Sequence, residues 1–222
     1  MTARPMTRAA ILAGMLSVGL LAAAPNAYAA RNTAAESYVQ ENATDALATL
    51  GNRGMSANQR RQTFNTLVAQ FSDMPRIANF VLGRYSAQLR SDPALRTEWT
   101  RTFQDYSIAV YEDRLGRFSG SAIRVTGSTE RRAGEDVIVI SEIQPRDGGR
   151  ATRVQWRLLR SGAAWKVVDV SLVLDGNEIW LAQQQQREFL AQLDRSNGDI
   201  RALMGDIREM TASMRQRVLA RS

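Results

Sequence analysis

Two residue types that often carry enzyme chemistry are missing from this chain. Its 222 residues include no histidine and no cysteine. This excludes Ser-His-Asp and Cys-His nucleophilic sites and the usual zinc ligand sets. It also means that no disulfide can stabilise the fold. Hydrolysis by carboxylates alone is the enzymatic chemistry that remains open.

Four of the 22 acidic residues stand in two adjacent pairs, Glu112-Asp113 and Glu135-Asp136. Neighbouring side chains on a helix or a strand point to different sides, so neither pair can share one substrate. The sequence also has no phosphate-binding loop, no metal-ligand spacing and no nucleophile elbow. We therefore predict a protein that is not an enzyme and has no metal site.

The N-terminus has the pattern of an export signal. Arg4 and Arg8 precede an uncharged apolar run over residues 9–24, and Ala27-Tyr28-Ala29 fits a small-x-small cleavage site. The run is short for a membrane span. We expect a signal peptide over residues 1–29 that is cleaved near Ala29, with a retained N-terminal anchor as the alternative.

The charge of the chain is moderately positive. The formal net charge is +7, and loss of the two signal-peptide arginines lowers it to +5, since 7 − 2 = 5. This charge favours anionic partners such as lipid headgroups, but it forms no dense basic stripe of the kind that binds nucleic acid. We expect no nucleic-acid partner.

Apolar spacing and capping residues divide the chain into helices, strands and helices again. We predict helices over residues 33–50, 56–71, 73–85 and 92–116, because apolar residues recur at three and four and Asp73 and Asp92 stand at cap positions before prolines. The spacing then changes to two in four segments with short, turn-rich connections, residues 121–127, 137–143, 152–160 and 165–174. Two helices follow, over residues 178–194 and 199–219.

This order of elements predicts an α+β fold. The economical topology is an antiparallel meander of four to five strands, covered by the N- and C-terminal helices. We expect one domain over residues 30–222, with a helical part (30–118), a sheet (119–175) and C-terminal helices (176–222). In the last long strand we expect Val168, Val170 and Leu172 to share a face, and Asp169 to pair with Arg84 if it is buried.

Three of these segments also carry a family resemblance. They contain Asp73-Met74-Pro75 with Leu82-Gly83-Arg84-Tyr85, then Trp165-Lys166-Val167-Val168-Asp169-Val170, then Gln186-Arg187-Glu188-Phe189. In this order they resemble the signatures of the MlaC family, the toluene-tolerance and lipid-transport auxiliary proteins of Gram-negative envelopes. The turn at Gly198-Asp199-Ile200 is closest to its hopanoid-associated HpnM branch.

The chain departs from the family pattern at two places. Ser86 stands where the family often has tryptophan, and Asn177-Glu178 stands where we expect small apolar residues and serine. We therefore expect the mouth of the pocket to differ from that of the common members.

The resemblance implies a soluble periplasmic carrier whose sheet and helices enclose the acyl chains of a phospholipid. It implies a monomer with no cofactor besides the bound lipid, which shuttles lipid between the outer membrane and an inner-membrane ABC transporter. The partners would be the lipid-binding subunit of that transporter and an outer-membrane lipoprotein complex. Together they would maintain the lipid asymmetry of the outer membrane.

A pocket for acyl chains needs apolar side chains on both the helices and the sheet. We predict that lipid is bound by Phe80, Tyr85, Trp99, Phe103, Tyr106, Val110, Val125, Val139, Val154, Trp156, Val168, Val170 and Leu172. A fully packed core is the competing interpretation, because pockets and cores share the same composition.

Three other functions remain open at this stage. A hopanoid carrier of the same family would need a wider and shorter pocket for a rigid polycyclic ligand. A periplasmic scaffold would have a closed core and would only hold envelope complexes together. A lipid hydrolase would have to work with carboxylates alone.

Overall fold

The computed structural model describes residues 31–115, 118–146, 148–174 and 176–220. The predicted signal peptide lies outside them. The elements are α1 (Thr33–Gly51), α2 (Ala57–Phe71), α3 (Met74–Val81), a 3₁₀ helix (Gly83–Ala87), α4 (Gln88–Ser91), α5 (Pro93–Leu115), β1 (Ala122–Arg132), β2 (Asp136–Gln144), β3 (Thr152–Ser161), β4 (Ala164–Leu174), β5 (Asn177–Trp180), α6 (Leu181–Arg195) and α7 (Ile200–Ala220).

The strands form one antiparallel sheet in which each strand pairs with the next along the chain. This confirms the predicted α+β class and the meander. The short strand β5 occupies residues where a helix was predicted. It pairs with the end of β4, and Glu178 accepts hydrogen bonds from Ser171 on β4, at 2.7 Å, and from Gln155 on β3. Sheet pairing therefore overrides the helical preference of this segment, and α6 begins only at Leu181.

Local signals place the helix starts where the sequence predicts them. The Asp73 carboxylate accepts a hydrogen bond from the Arg76 backbone N–H at 3.1 Å, and the Asp92 carboxylate accepts one from the Leu95 N–H at 2.9 Å. Ser56 forms a reciprocal capping box with Gln59. Each interaction satisfies N–H groups that the first helical turn leaves unpaired.

A bulge interrupts the pairing of β3 with β4. Arg157 pairs with Asp169 and Leu158 with Val167, so Val168 has no partner on β3. A bulge of this kind reverses the alternation of faces beyond it. Val167 is therefore buried at 2% exposure, whereas Val168 is only half-buried and lies outside the core. The prediction that Val168 shares the face of Val170 and Leu172 is wrong for this reason.

Buried side chains form two clusters. The helical cluster contains Trp99, Phe103 and Tyr106 of α5, packed against Phe189 of α6 with ring centroids 5.7–6.4 Å apart. The second cluster lies between the inner face of the sheet and α1. The sheet therefore presents its inner face to helices, and the space between the two layers holds the candidate site.

Side chains and backbone from the helices reach the two edges of the sheet. On the β1 edge, the Gln40 side chain of α1 donates to the Ile123 carbonyl at 3.0 Å and accepts from the Val125 N–H at 2.9 Å. On the opposite side, the Asp73 N–H donates to the Val167 carbonyl at 2.9 Å, in the part of β4 that the short strand β5 does not cover. These bonds fix α1 and α3 to the sheet.

We expect Gly198→Ala to lower the free energy of unfolding by about 2–3 kcal/mol. Gly198 follows α6 with a φ of +80°, and a Cβ there would lie 2.6 Å from Cε1 of Tyr85. The ring cannot easily yield, because its hydroxyl donates to Asp194 at 2.7 Å. Urea denaturation measures the loss, with Gly205→Ala as the control. A Cβ at Gly205, inside α7, meets nothing within 4 Å, so this control should gain stability; an equal loss in both variants would contradict the steric account.

Candidate functional site

An apolar cavity lies between the inner face of the sheet and helices α1, α2 and α5. It is at the end of the sheet where β1 and β3 begin and β2 and β4 end. Its lining consists of Ala43, Ala46, Leu47, Phe64, Val68, Phe71, Ser72, Tyr111, Arg114, Ile123, Ile143, Val154, Trp156, Val170, Leu172 and Leu181. Carbon atoms make up almost all of this wall, so the cavity suits an apolar ligand.

Secondary structure explains why the wall is apolar. Alternate residues of β3, Val154 and Trp156, face the helices, and their partners Leu172 and Val170 on β4 face the same way. On α1 the two small residues Ala43 and Ala46 stand opposite them. Their short side chains leave the space that a larger residue would fill.

The cavity is a narrow slot. All the space between its lining atoms, including the part open to solvent, amounts to about 690 Å³. The volume in which the centre of a water molecule fits is only about 50 Å³. The smaller volume describes the free interior, because the larger one includes open solvent. Typical ligand sites measure roughly 300–1,000 Å³. A chain-like ligand would therefore enter only if the helices moved away from the sheet.

Trp156 and Tyr111 are polar side chains of the wall that carry no charge. The Trp156 indole N–H donates to the Ser141 hydroxyl at 2.8 Å, so the indole presents its ring to the slot. Burial raises the pKa of Tyr111 far above its ordinary value, which keeps the phenol protonated. Neither residue brings a charge to the slot.

Arg114 is the charged residue of the described lining. It lies in the last turn of α5, and its side chain is half-buried. Its Nη1 atom is buried and has no hydrogen-bond partner in the described parts of the chain.

Asp169 fixes the helix that closes one side of the slot. Its Oδ1 atom accepts hydrogen bonds from the backbone N–H groups of Val170 and Ala182, both at 2.8 Å. Ala182 is in the first turn of α6, next to Leu181 of the wall, and α6 has no capping side chain of its own at Trp180. Asp169 therefore caps α6 from the sheet.

Burial and hydrogen bonding shift the pKa of the Asp169 carboxylate in opposite directions. Burial raises its pKa above the ordinary value, and the hydrogen bonds that it accepts lower the pKa by less. The prediction that Asp169 pairs with Arg84 is wrong. Arg84 instead forms an ion pair with Asp194, which also accepts from Tyr85, because the 3₁₀ helix lies beside the end of α6.

Four of the residues predicted to bind lipid line the slot: Val154, Trp156, Val170 and Leu172. Val139 is buried in the cluster beneath the sheet, and Val125 is partly buried against it. Both are neighbours of the wall rather than parts of it.

The other predicted residues lie elsewhere. Four belong to the helical cluster on α5: Trp99, Phe103, Tyr106 and Val110. Tyr85 packs against this cluster and binds Asp194, and Phe80 is 41% exposed on the outside of α3. Val168 is displaced by the bulge.

Sequence reasoning missed the helical half of the slot. Ala43, Ala46 and Leu47 of α1, with Phe64 and Val68 of α2, all line it. The signal that could have found the first three is their spacing of three and four, with small residues on the inner stripe of a helix. Nothing in the local sequence distinguishes Arg114 from the other arginines.

Two further properties concern the described residues only. They include no group of three or more acidic side chains that could hold a metal ion. None of their helices has the length and apolar character needed to cross a membrane.

Comparisons with known proteins bear on the family and on the fold. A family model described as the MlaC protein matches residues 40–209. The solved structure of a phospholipid-binding protein from Ralstonia solanacearum, in complex with a phospholipid, is similar with a TM-score of 0.68 and 21% sequence identity, and the match covers 81% of this chain and 98% of that one. At this identity the likeness shows a shared fold. No curated protein matches the sequence.

Proposed function

Because the chain belongs to the MlaC family, we propose that it is a lipid-binding protein that encloses the acyl chains of a phospholipid in the slot between sheet and helices. The observation that carries this proposal is the wall of the slot, which is apolar on the sheet side and on the helix side. The structural neighbour in complex with a phospholipid supports the same ligand class.

The hydrophobic effect favours the transfer of a lipid's acyl chains from water into the slot. Each buried methylene contributes about 0.8 kcal/mol, so a chain of about 16 carbons resists entering water by roughly 12 kcal/mol. A carrier must therefore offer apolar contact along most of the chain. Val154, Trp156, Val170 and Leu172 would supply it from the sheet, and the alanines of α1 from the other side.

Lipid entry would require the slot to widen by movement of α1 and α2. Polar contacts hold α1 to the sheet region at its start, at Gln40 and near its end. At the start, the Asn32 N–H donates to Ser128 at 2.7 Å, the Asn32 side chain donates to Glu130 at 2.7 Å, and the Ser128 hydroxyl donates to Glu36 at 2.7 Å. Further along, Gln40 binds β1, and the Gly120 N–H donates to the Leu47 carbonyl at 3.1 Å. A partner that competes for these contacts would loosen the helix. The acyl chains would then move between apolar surroundings without meeting water.

We further propose the place of this protein in the cell from its family. It would be a monomer, exported by the signal peptide over residues 1–29, that shuttles phospholipid through the periplasm. The donor and acceptor would be an outer-membrane lipoprotein complex and the lipid-binding subunit of an inner-membrane ABC transporter. Exposed arginines would steer these encounters, so association should weaken with salt.

The narrowness of the slot favours flexible chains over a rigid polycycle. An acyl chain can thread a slot that opens only a little, whereas a hopanoid needs its full width at once. Mass spectrometry of the purified protein, native and then after organic extraction, tests this. Co-purifying diacyl phospholipid is the expected result. A triterpenoid would favour the hopanoid carrier, and a protein without lipid would contradict the proposal.

Filling the slot should weaken the binding of phospholipid. We expect Ala46→Phe to weaken phospholipid binding at least tenfold, because excluding only two methylenes forfeits about 1.6 kcal/mol. Displacement of a fluorescent fatty acid by phospholipid measures the affinity. The matched control is Ala212→Phe, at an exposed position in the polar groove between α5 and α7, and it should bind as the parent does. Equal binding by all three proteins would place the lipid elsewhere.

A further inference from the structure

Arg114 brings a positive charge to a wall that is otherwise apolar. Its Nη1 atom is buried without a hydrogen-bond partner in the described residues, while other parts of the residue reach solvent. The guanidinium therefore lies at the boundary between the slot and water. An N–H group of a cation that is buried and unpaired is costly, and such a group usually has an acceptor.

The protein around Arg114 stabilises its positive charge only in part. A cation in the last turn of a helix is favoured by the helix dipole, and Arg114 is in the last turn of α5. The dipole supplies no acceptor for Nη1.

The acidic side chains nearby have other partners. Asp113 pairs with Arg217, with 3.5 Å between oxygen and nitrogen. Glu112 is buried on α5, where its charge interacts with those of Arg61, Arg215 and Arg60. Asp169 accepts its hydrogen bonds from the start of α6. The described carboxylates therefore leave Nη1 available for a ligand.

We propose that Arg114 binds the phosphate group of the lipid whose chains occupy the slot. This rests on the proposed function, which it deepens. The phosphate of a phospholipid is joined through glycerol to the first carbons of the chains, so chains in the slot place the phosphate at its rim. Phosphate oxygens match the fork of N–H groups on a guanidinium. Arg114 is the rim residue that offers such a group.

The consequence is a preference for lipids that carry phosphate. A diacylglycerol with the same chains would fill the slot equally well but would leave Nη1 unpaired. A hydrogen bond to a charged group contributes enough to change an equilibrium constant by about 10- to 100-fold. We therefore expect the protein to prefer dioleoylphosphatidylglycerol over dioleoylglycerol by about that factor.

The test compares both lipids on the delipidated protein and three variants, with displacement of a fluorescent fatty acid as the readout. Arg114→Met keeps the length of the side chain and removes the charge, and replacing a buried charge by an apolar group preserves folding in many proteins. It should bind both lipids with similar affinity. Arg114→Lys should keep part of the preference. Arg101→Met, an exposed arginine on the same helix, should keep all of it.

The outcomes separate this inference from the proposed function. If Arg114→Met keeps the full preference for the phospholipid, the inference is wrong while lipid binding stands. If the parent protein binds neither lipid, the proposed function fails. If inorganic phosphate alone displaces the phospholipid, Arg114 belongs to a binding site for a free anion, and the inference is overturned as well.

Discussion

Replacing Trp99 by alanine is expected to lower the free energy of unfolding by about 5 kcal/mol. The side chain is completely buried, it stacks on Phe103, and its ring meets Phe189 edge-on. Its indole N–H donates to the Ala78 carbonyl at 2.7 Å. A large aromatic residue replaced by alanine in a core costs about 3–5 kcal/mol, and the abandoned carbonyl adds about 1 kcal/mol. Urea denaturation measures the loss.

The matched variant Trp99→Phe distinguishes a core role from a lipid-binding role. It keeps most of the apolar contact and loses the hydrogen bond, so we expect it to lose about 1–2 kcal/mol of stability. Its affinity for phospholipid should be unchanged, because Trp99 does not line the slot. If Trp99→Phe is as stable as the parent but fails to bind lipid, Trp99 is part of the lipid-binding site.

Replacing Asp169 by alanine is expected to lower the free energy of unfolding by about 4 kcal/mol at neutral pH. The change removes the acceptor of the buried Ala182 N–H and of the partly buried Val170 N–H, and an unsatisfied buried donor costs about 1–3 kcal/mol. It also removes the cap of α6, whose first residue Leu181 lines the slot. We therefore expect lipid binding to weaken together with stability.

Titration of the Asp169 carboxylate should also make the stability of the protein depend on pH. Burial raises the pKa of Asp169 in the folded protein above its unfolded value of about 3.9, so the folded state holds the proton more tightly. The stability that this group contributes is complete below the unfolded pKa and declines as the pH rises through the folded pKa. Asp169→Asn does not titrate and serves as the reference.

The measurement is urea denaturation of the parent and Asp169→Asn from pH 4 to neutrality. The free energy of unfolding of the parent should fall relative to that of the asparagine variant as the pH rises, and then level off. The opposite trend would mean that the hydrogen bonds from Val170, Ala182 and Gln183 lower the pKa of Asp169 by more than burial raises it.

The parts of the fold that depend on neighbouring residues could be predicted from the sequence. Asp73 and Asp92 cap their helices because a cap requires only a carboxylate, a turn of backbone and the first N–H groups. The short connections between strands similarly indicated the meander. These interactions form within a few residues, so their signals are contained in a short stretch of sequence.

The parts that depend on distant residues could not be predicted. The bulge at Val168 results from how β3 and β4 align along their whole length, and nothing at Val168 itself indicates it. Trp99 and Trp156 both belong to regular apolar patterns, yet one fills a core and the other lines the slot. Periodicity identifies the inner face of an element but does not show what packs against that face.

The bonds that Gln40 and Asp73 make to the sheet have a consequence for solubility. An exposed strand edge is a template on which another chain can add a strand. The amide of Gln40 occupies the hydrogen-bonding groups of Ile123 and Val125 as a neighbouring strand would, and the Asp73 N–H occupies the Val167 carbonyl. These bonds therefore oppose edge-to-edge pairing on β1 and on the stretch of β4 that the short strand β5 leaves uncovered.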